Sequence, residues 1–284
     1  MIKLVASDLD GTILDKNNSI FANNFKAFED LRKHNMNFVV CTGKTYHITK
    51  KMCSAINASF GIFGNGNLVM DLRNNSVLYK KLLNTNEVLA CIDIAKKHNM
   101  HVHIYSSEDV ITEKLEYLDL RNYKLQQVDN LEGSLNFKIV DDIKDYVIKN
   151  NPEVFKLVIS DAYSTASARK DIQSSFDLSV ATIRKRGEYK DAIINKEYEY
   201  LDVTSKNTSK QAALEFLGNY LNIKPDEMLT IGDNVNDYDM IQKAGIGVAV
   251  ANAYDELKQI ANYTTVNPVE KGGFAEAIYK FIEF

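Results

Sequence analysis

Lys3-Leu4-Val5-Ala6-Ser7-Asp8-Leu9-Asp10-Gly11-Thr12 decides how this chain is read. A short, continuously apolar run stopped by Asp and Gly fits a buried central strand of a parallel sheet, not a half-exposed one. Downstream, Phe21, Phe25, Phe28 and Leu31 recur at helical spacing behind Ser19. Phe38-Val39-Val40-Cys41 then repeats the first pattern and runs into Thr42-Gly43-Lys44. Phe60–Phe63 reads as a third strand, and Asn67–Asp71 with Ser76–Lys80 as a hairpin. Strands alternating with helices predict a doubly wound, mostly parallel α/β sheet of Rossmann-like type.

The rhythm changes near Leu83 and resumes after Asn195. Between them stand a helix over Asn86–Lys97, strands at His101–Tyr105 and Val110–Glu113, a strand at Val154–Ser160, a helix at Ser164–Phe176 and a strand at Leu178–Arg184. Tyr189–Val203 adds a hairpin turning at Asn195-Lys196. That composition predicts an α+β insert, residues 84–195, within a core domain built from 1–83 and 196–284. In the last segment Ser209 caps a helix, Met228–Gly232 is a buried strand ending at Asp233, and Ile246–Val250 is another.

Composition narrows the function. The 284 residues carry a formal charge of -4, against a nucleic-acid-binding surface. No apolar run reaches the ~20 residues of a membrane helix, and no secretion signal opens the sequence. Three cysteines, Cys41, Cys53 and Cys91, have no zinc-like spacing and suit a reduced, cytoplasmic chain.

Four polar clusters fall at strand ends or helix starts: Asp8/Asp10/Thr12, Thr42/Gly43/Lys44, Ser209/Lys210 and Asp233/Asn236/Asp237. Taken singly, Asp-Gly-Thr is a turn and Thr-Gly a connector. Ligands in an open parallel sheet bind beyond the carboxyl ends of strands, so one rim would gather all four. Unit charges ~4 Å apart repel by on the order of 4 kcal/mol at an effective dielectric of 20. Such carboxylates imply a cation among them, and all-oxygen ligation points to Mg²⁺. Lys210 opposes the positive end of its own helix, a local violation that suits an anion site, and Thr42 with the Gly43 amide offers a second anion cradle. Gly43-Lys44-Thr45 lacks the earlier glycine of a phosphate loop, since Phe38 stands there, and Gly245-Ile246-Gly247 lacks the third glycine of a dinucleotide fingerprint. His98, His101 and His103 read as ordinary surface residues of the insert, and Cys41 as a small apolar strand end.

In this order the motifs Asp8-Leu9-Asp10-Gly11-Thr12, Thr42-Gly43, Lys210 and Gly232-Asp233-Asn234-Val235-Asn236-Asp237 resemble those of the haloacid dehalogenase superfamily, and the insert's place resembles its Cof-type subgroup with a large α+β cap. Phe63-Gly64-Asn65-Gly66-Asn67 resembles the family's Asn-Gly hairpin, while Lys44 stands where the family more often has arginine. The resemblance implies a Mg²⁺-dependent phosphatase of small phosphorylated metabolites such as sugar phosphates. Asp8 would attack phosphorus, ionised at neutral pH like a free carboxylate of pKa ~3.9. Asp10 would act as acid and base and lend its backbone carbonyl to Mg²⁺; Asp8 and Asp233 would be the other metal ligands. Thr42, Gly43 and Asn236 would bind phosphoryl oxygens, Asp237 would orient Lys210 or a metal-bound water, and the cap would close over the site and select the substrate. Alternatives are a phosphotransferase or mutase on the same scaffold and a non-catalytic phosphometabolite binder.

Overall fold

Leu4–Ser7 (β1) is buried along its whole length in the computed structural model, which describes residues 1–106, 109–114, 136–161, 165–185 and 198–284. It pairs in parallel with β2 (Asn37–Cys41) on one side and β12 (Met228–Gly232) on the other. β3 (Phe60–Phe63), β4 (Leu68–Asp71) and β5 (Ser76–Lys80) extend the sheet past β2; β13 (Ile246–Ala249) and β14 (Tyr263–Thr264) extend it past β12. Only the β3–β4 and β4–β5 pairs are antiparallel. The fold is thus the doubly wound, parallel-rich α/β architecture expected. Strand order reverses at β1, so the loops after β1 and β12 flank the crevice such sheets use for ligands.

The core around this sheet is apolar and aromatic. Phe28 packs on Phe274 at 4.9 Å and on Phe38 at 5.5 Å between ring centroids. The helix Ala22–Lys33 differs from its expected stripe: Asn24, Ala27, Phe28 and Leu31 face inward, while Phe25 is 45% exposed. Spacings of three and four set that face, and Phe25 lies one residue off it. Asn24 is tolerated there because its Oδ1 accepts the Ala275 amide at 3.2 Å.

A second unit comprises the described residues between Lys81 and Thr208. Its sheet runs β10-β11-β9-β6-β7-β8, with β6 His101–Ser106, β7 Asp109–Thr112, β8 Asn136–Ile139, β9 Val154–Asp161, β10 Ser179–Lys185 and β11 Tyr198–Thr204. The units part at Lys80/Lys81 and Thr208/Ser209, where the sequence reading set 83/84 and 195/196. The later boundary lies downstream because β11 pairs with both β9 and β10, so it is a central strand of the second sheet. The expected turn at Asn195-Lys196 lies outside the described residues. The helix Thr85–Lys97 starts with a capping box of Asn84 and Glu87. Among the described residues no helix is long and apolar enough to cross a membrane.

One face of the second sheet (Val102, Ile104, Leu157, Ile159, Leu201, Val203) forms that unit's own apolar core. The alternate face carries His103, Tyr105, Lys156 and Asp202, with Lys156 Nζ 2.9 Å from Asp202 Oδ2 and both buried. His103, expected on the surface, is buried on this covered face; burial, then the nearby His101 and Lys156, push its pKa well below the ordinary value. An unfolded histidine titrates near ~6.5, so below that pH the unfolded chain binds a proton that the folded chain refuses. Stability from neutral His103 is therefore complete above ~6.5 and falls as acidification proceeds. The unfolding free energy of wild-type protein, from urea melts, is expected to fall more between pH 7.5 and 5.5 than that of His103→Leu, by up to about 1.4 kcal/mol per pH unit below ~6.5; equal slopes would contradict this.

Candidate active site

Each strand end delivers one polar loop to the crevice. Gly11 makes the first loop possible: its φ is +80°, and a Cβ there would lie 2.3 Å from Asp233 Oδ2. Thr12 Oγ1 donates to Asp233 Oδ1 at 3.3 Å, and Asn252 Nδ2 donates to the Gly11 carbonyl at 2.7 Å. The Asp8 loop and the Asp233 loop are thereby locked together.

Lys210 opens the helix Lys210–Leu221, whose cap Ser209 accepts the Ala212 amide at 3.0 Å. Gly66 lets that helix start approach the sheet, since a Cβ on it would meet the Ser209 carbonyl oxygen at 2.2 Å. The lysine is buried, and its Nζ donates to Asp8 Oδ1 at 2.7 Å and Asp237 Oδ1 at 2.6 Å. Asp237 uses its other oxygen to accept the amides of Asp233 (3.1 Å) and Asn234 (3.0 Å). It therefore aims the lysine and shapes the turn that presents Asp233.

Asp8, Asp233 and Asp237 each bring a carboxylate oxygen within 4.8 Å of the others. Burial raises the Asp8 pKa to about 7; Lys210 draws it down, and Asp237 and Asp10 add to the rise. This corrects the expectation of an ordinary ionised carboxylate: in the crevice the charge loses its water and faces other acids. Burial, Asp8 and Asp237 likewise hold Asp233 well above its usual range. Burial works against the charge on Lys210, but Asp237 and Asp8 outweigh it and leave its pKa above that of a free lysine. One ammonium against three carboxylates leaves negative charge unmatched. The donors are all oxygens, and Asp237 is already committed to Lys210 and two amides, so the cluster fits a hard divalent cation held chiefly by Asp8 and Asp233.

The Asp10 carboxylate lies apart from this cluster, half exposed, with Lys44 Nζ 2.6 Å from its Oδ1. Lys44 is thus placed to hold Asp10, a role its position in the sequence did not signal. Thr42 is buried, its Oγ1 accepting the Lys44 amide at 3.1 Å. Asn236 Nδ2 donates to Asn65 Oδ1 at 3.0 Å, and its own Oδ1 is buried without a partner among the described residues.

Asn65 escaped the sequence reading, which saw only a hairpin turn there. It is buried in a left-handed conformation (φ 58°), its amide donates to the Thr42 carbonyl at 3.0 Å, and a Cβ on Gly43 would lie 3.2 Å from its Oδ1. It joins the Thr42-Gly43 loop to Asn236. The available signal was an asparagine between two glycines, a position suited to positive φ. Burial pushes the Cys41 thiol far up, which makes it a poor nucleophile.

Known proteins share this architecture. A putative phosphatase of Bacillus subtilis is 25% identical over 292 residues, covering 99% of each chain. The 5-amino-6-(5-phospho-D-ribitylamino)uracil phosphatase YcsE of the same organism is 27% identical over 282 residues, 99% of this chain and 96% of the relative. A solved haloacid dehalogenase-like hydrolase from B. subtilis superimposes with a TM-score of 0.80 at 20% identity, covering 99% of this chain and 100% of the other. With residues 5–278 matching the family as a whole, the chain belongs to the haloacid dehalogenase-like hydrolases.

Proposed function

We propose that this hydrolase cleaves small phosphate monoesters, sugar phosphates or related metabolites, through a phosphoryl group carried on Asp8. The observation that carries the reading is the buried Lys210 ammonium shared between Asp8 and Asp237, with Asp233 within reach. Phosphatase relatives that align along almost the whole chain support the same reaction class.

Asp8 and Asp233, with the Asp10 backbone carbonyl, would hold Mg²⁺, which when bound supplies positive charge beside the phosphoryl oxygens. The chain's own groups do the rest. Lys210 favours the ionised form of Asp8 and brings positive charge to the approaching anion. An Asp8 oxygen bonds to phosphorus as the ester P–O bond breaks, and protonated Asp10 gives its proton to the departing oxygen. Water then attacks phosphorus and releases inorganic phosphate and the Asp8 carboxylate; Asp10 takes the water's proton. Lys44 Nζ, 2.6 Å from Asp10 Oδ1, holds that carboxylate in place. Thr42, the Gly43 amide and Asn236 grip phosphoryl oxygens, and Asn65 fixes the last of them.

A panel of phosphorylated metabolites tests the proposal, run with Mg²⁺ and with chelator. It includes 5-amino-6-(5-phospho-D-ribitylamino)uracil, which a relative's name specifies. Release of phosphate that the chelator abolishes is the expected result; no turnover of any ester overturns it. Asn65→Gly keeps the backbone conformation and deletes the amide that holds Asn236. Its KM is expected to rise about two- to tenfold, the worth of one neutral hydrogen bond, with kcat less affected. An unchanged KM in steady-state assays would show that Asn65 serves only the turn.

A further inference from the structure

The side-chain carbonyl of Asn236 is an orphan in the crevice: its Oδ1 is buried and accepts from no donor among the described residues. Leaving a buried acceptor unmade is costly, and in a functional site such an atom marks a group that arrives with a proton to share. The oxygen cannot trade places with the nitrogen. The amino group donates to Asn65 Oδ1 at 3.0 Å, so turning the amide over would set two carbonyl oxygens against each other.

Sheet order locates the pair. The strands run β12-β1-β2-β3; Asn236 follows β12, Asn65 follows β3 and donates its amide to the Thr42 carbonyl beyond β2, and Asp8 follows β1 between them. The Asn236–Asn65 hydrogen bond therefore spans the strand end that presents Asp8. Asn236 also belongs to the single turn Val235–Asp237, with Asp233 just before it, and both of these acids bring carboxylate oxygens close to Asp8. Ionised carboxylates have no proton to offer this acceptor, and neither has a phosphate dianion. Lys210 spends its ammonium on Asp8 and Asp237. A hard divalent ion brings donors of another kind, because Mg²⁺ keeps several waters and its charge makes their protons strong donors.

We propose that Asn236 Oδ1 accepts a hydrogen bond from the hydration shell of the divalent ion held by Asp8 and Asp233, with Asn65 setting its direction. Asn236 is then a positioning residue for the ion, and its second N–H is left for a phosphoryl oxygen. The assignment rests on the ion reading above and on no step of the reaction.

Calorimetric titration of Mg²⁺ into metal-free, phosphate-free protein at pH 8 tests it without turnover. Wild type is expected to bind one Mg²⁺ per chain. Asn236→Leu, similar in size but without an acceptor, should bind at least about tenfold more weakly, the usual cost of losing a partner around a metal's ligands. Asn236→Ala repeats the deletion in case leucine disturbs the fold, which circular dichroism checks. Asn236→Asp restores an oxygen acceptor and should bind at least as tightly as wild type. Full Mg²⁺ affinity in a folded leucine or alanine variant overturns the assignment, and so does an Asn236→Asp protein that binds as weakly as they do. A wild type that binds no Mg²⁺ at millimolar concentration overturns it together with the ion itself, whatever the panel of esters shows.

Discussion

Asp8→Asn is expected to melt above the wild type at pH 8 without metal, while losing turnover by at least ~10³-fold. The catalytic half follows from removing the attacking oxygen. The stability half follows from where that oxygen sits. Folding raises the Asp8 pKa from 3.8 to about 7, chiefly by burial. A carboxyl raised on folding supports the native state below its unfolded pKa, and that support is lost as pH rises through the folded one. The window therefore runs from about 3.8 to about 7, and each pH unit within it is worth about 1.4 kcal/mol per proton. At pH 8 the wild type holds the charge at full cost, whereas asparagine carries none. The gap in melting temperature should narrow towards pH 5, where Asp8 is already protonated in the folded chain. Adding Mg²⁺ should reverse the order, because the wild type binds it with one more carboxylate. Differential scanning calorimetry at the two pH values decides the matter: a variant that melts below the wild type at pH 8 without metal contradicts the burial argument.

Lys210→Met is expected to move the other way. Among the described residues the lysine is the one cation hydrogen-bonded to both Asp8 and Asp237, with 0% side-chain exposure. Replacing it with an apolar chain of similar length keeps volume but leaves the carboxylates facing one another. Removing one partner of a buried ion pair costs about 3–5 kcal/mol. The loss should be largest at pH 8 and shrink as acid protonates the cluster. Urea melts at pH 8 and pH 5.5 measure both, and an equal loss at the two values would mean that Lys210 contributes packing, not charge. Turnover should also collapse, since the ammonium that favours ionised Asp8 and meets the incoming anion is gone. The two variants form a pair: one relieves the repulsion and one exposes it, yet both are inactive.

Much of the core sheet was legible because its strands are short, wholly apolar runs that end on chemically distinctive residues. Val5 and Leu229, Val39 and Ile231 announce burial on both faces, and the motifs mark where each strand stops. The second unit was harder. β8 is largely exposed, and its alternating Asn136-Phe137-Lys138-Ile139 is only four residues long, too short to mark a strand, while the eight-residue helix Ile143–Asn150 buries only Ile143 and Val147. β11 presents Asp202 where an apolar residue would be expected; Lys156, distant in sequence, makes that charge tolerable. In the site, the clusters could be read one loop at a time, but their coupling could not. Asp10 meets Lys44, and Asn236 meets Asn65, through contacts that only the folded sheet creates. The raised pKa of Asp8 is likewise a property of burial, which residue types and spacing do not carry.

The central place of β1 has a consequence for how the protein is made. Its partner on one side, β2, follows within the same stretch of chain, but its partner on the other, β12, begins only at Met228. A ribosome must therefore translate the whole second unit before that edge can be covered. Throughout that interval the nascent first domain presents an open row of backbone donors and acceptors on a strand that the finished fold buries along its whole length. Truncation or stalling before Met228 should leave a sticky half-sheet, a natural client for chaperones that shield exposed strand edges.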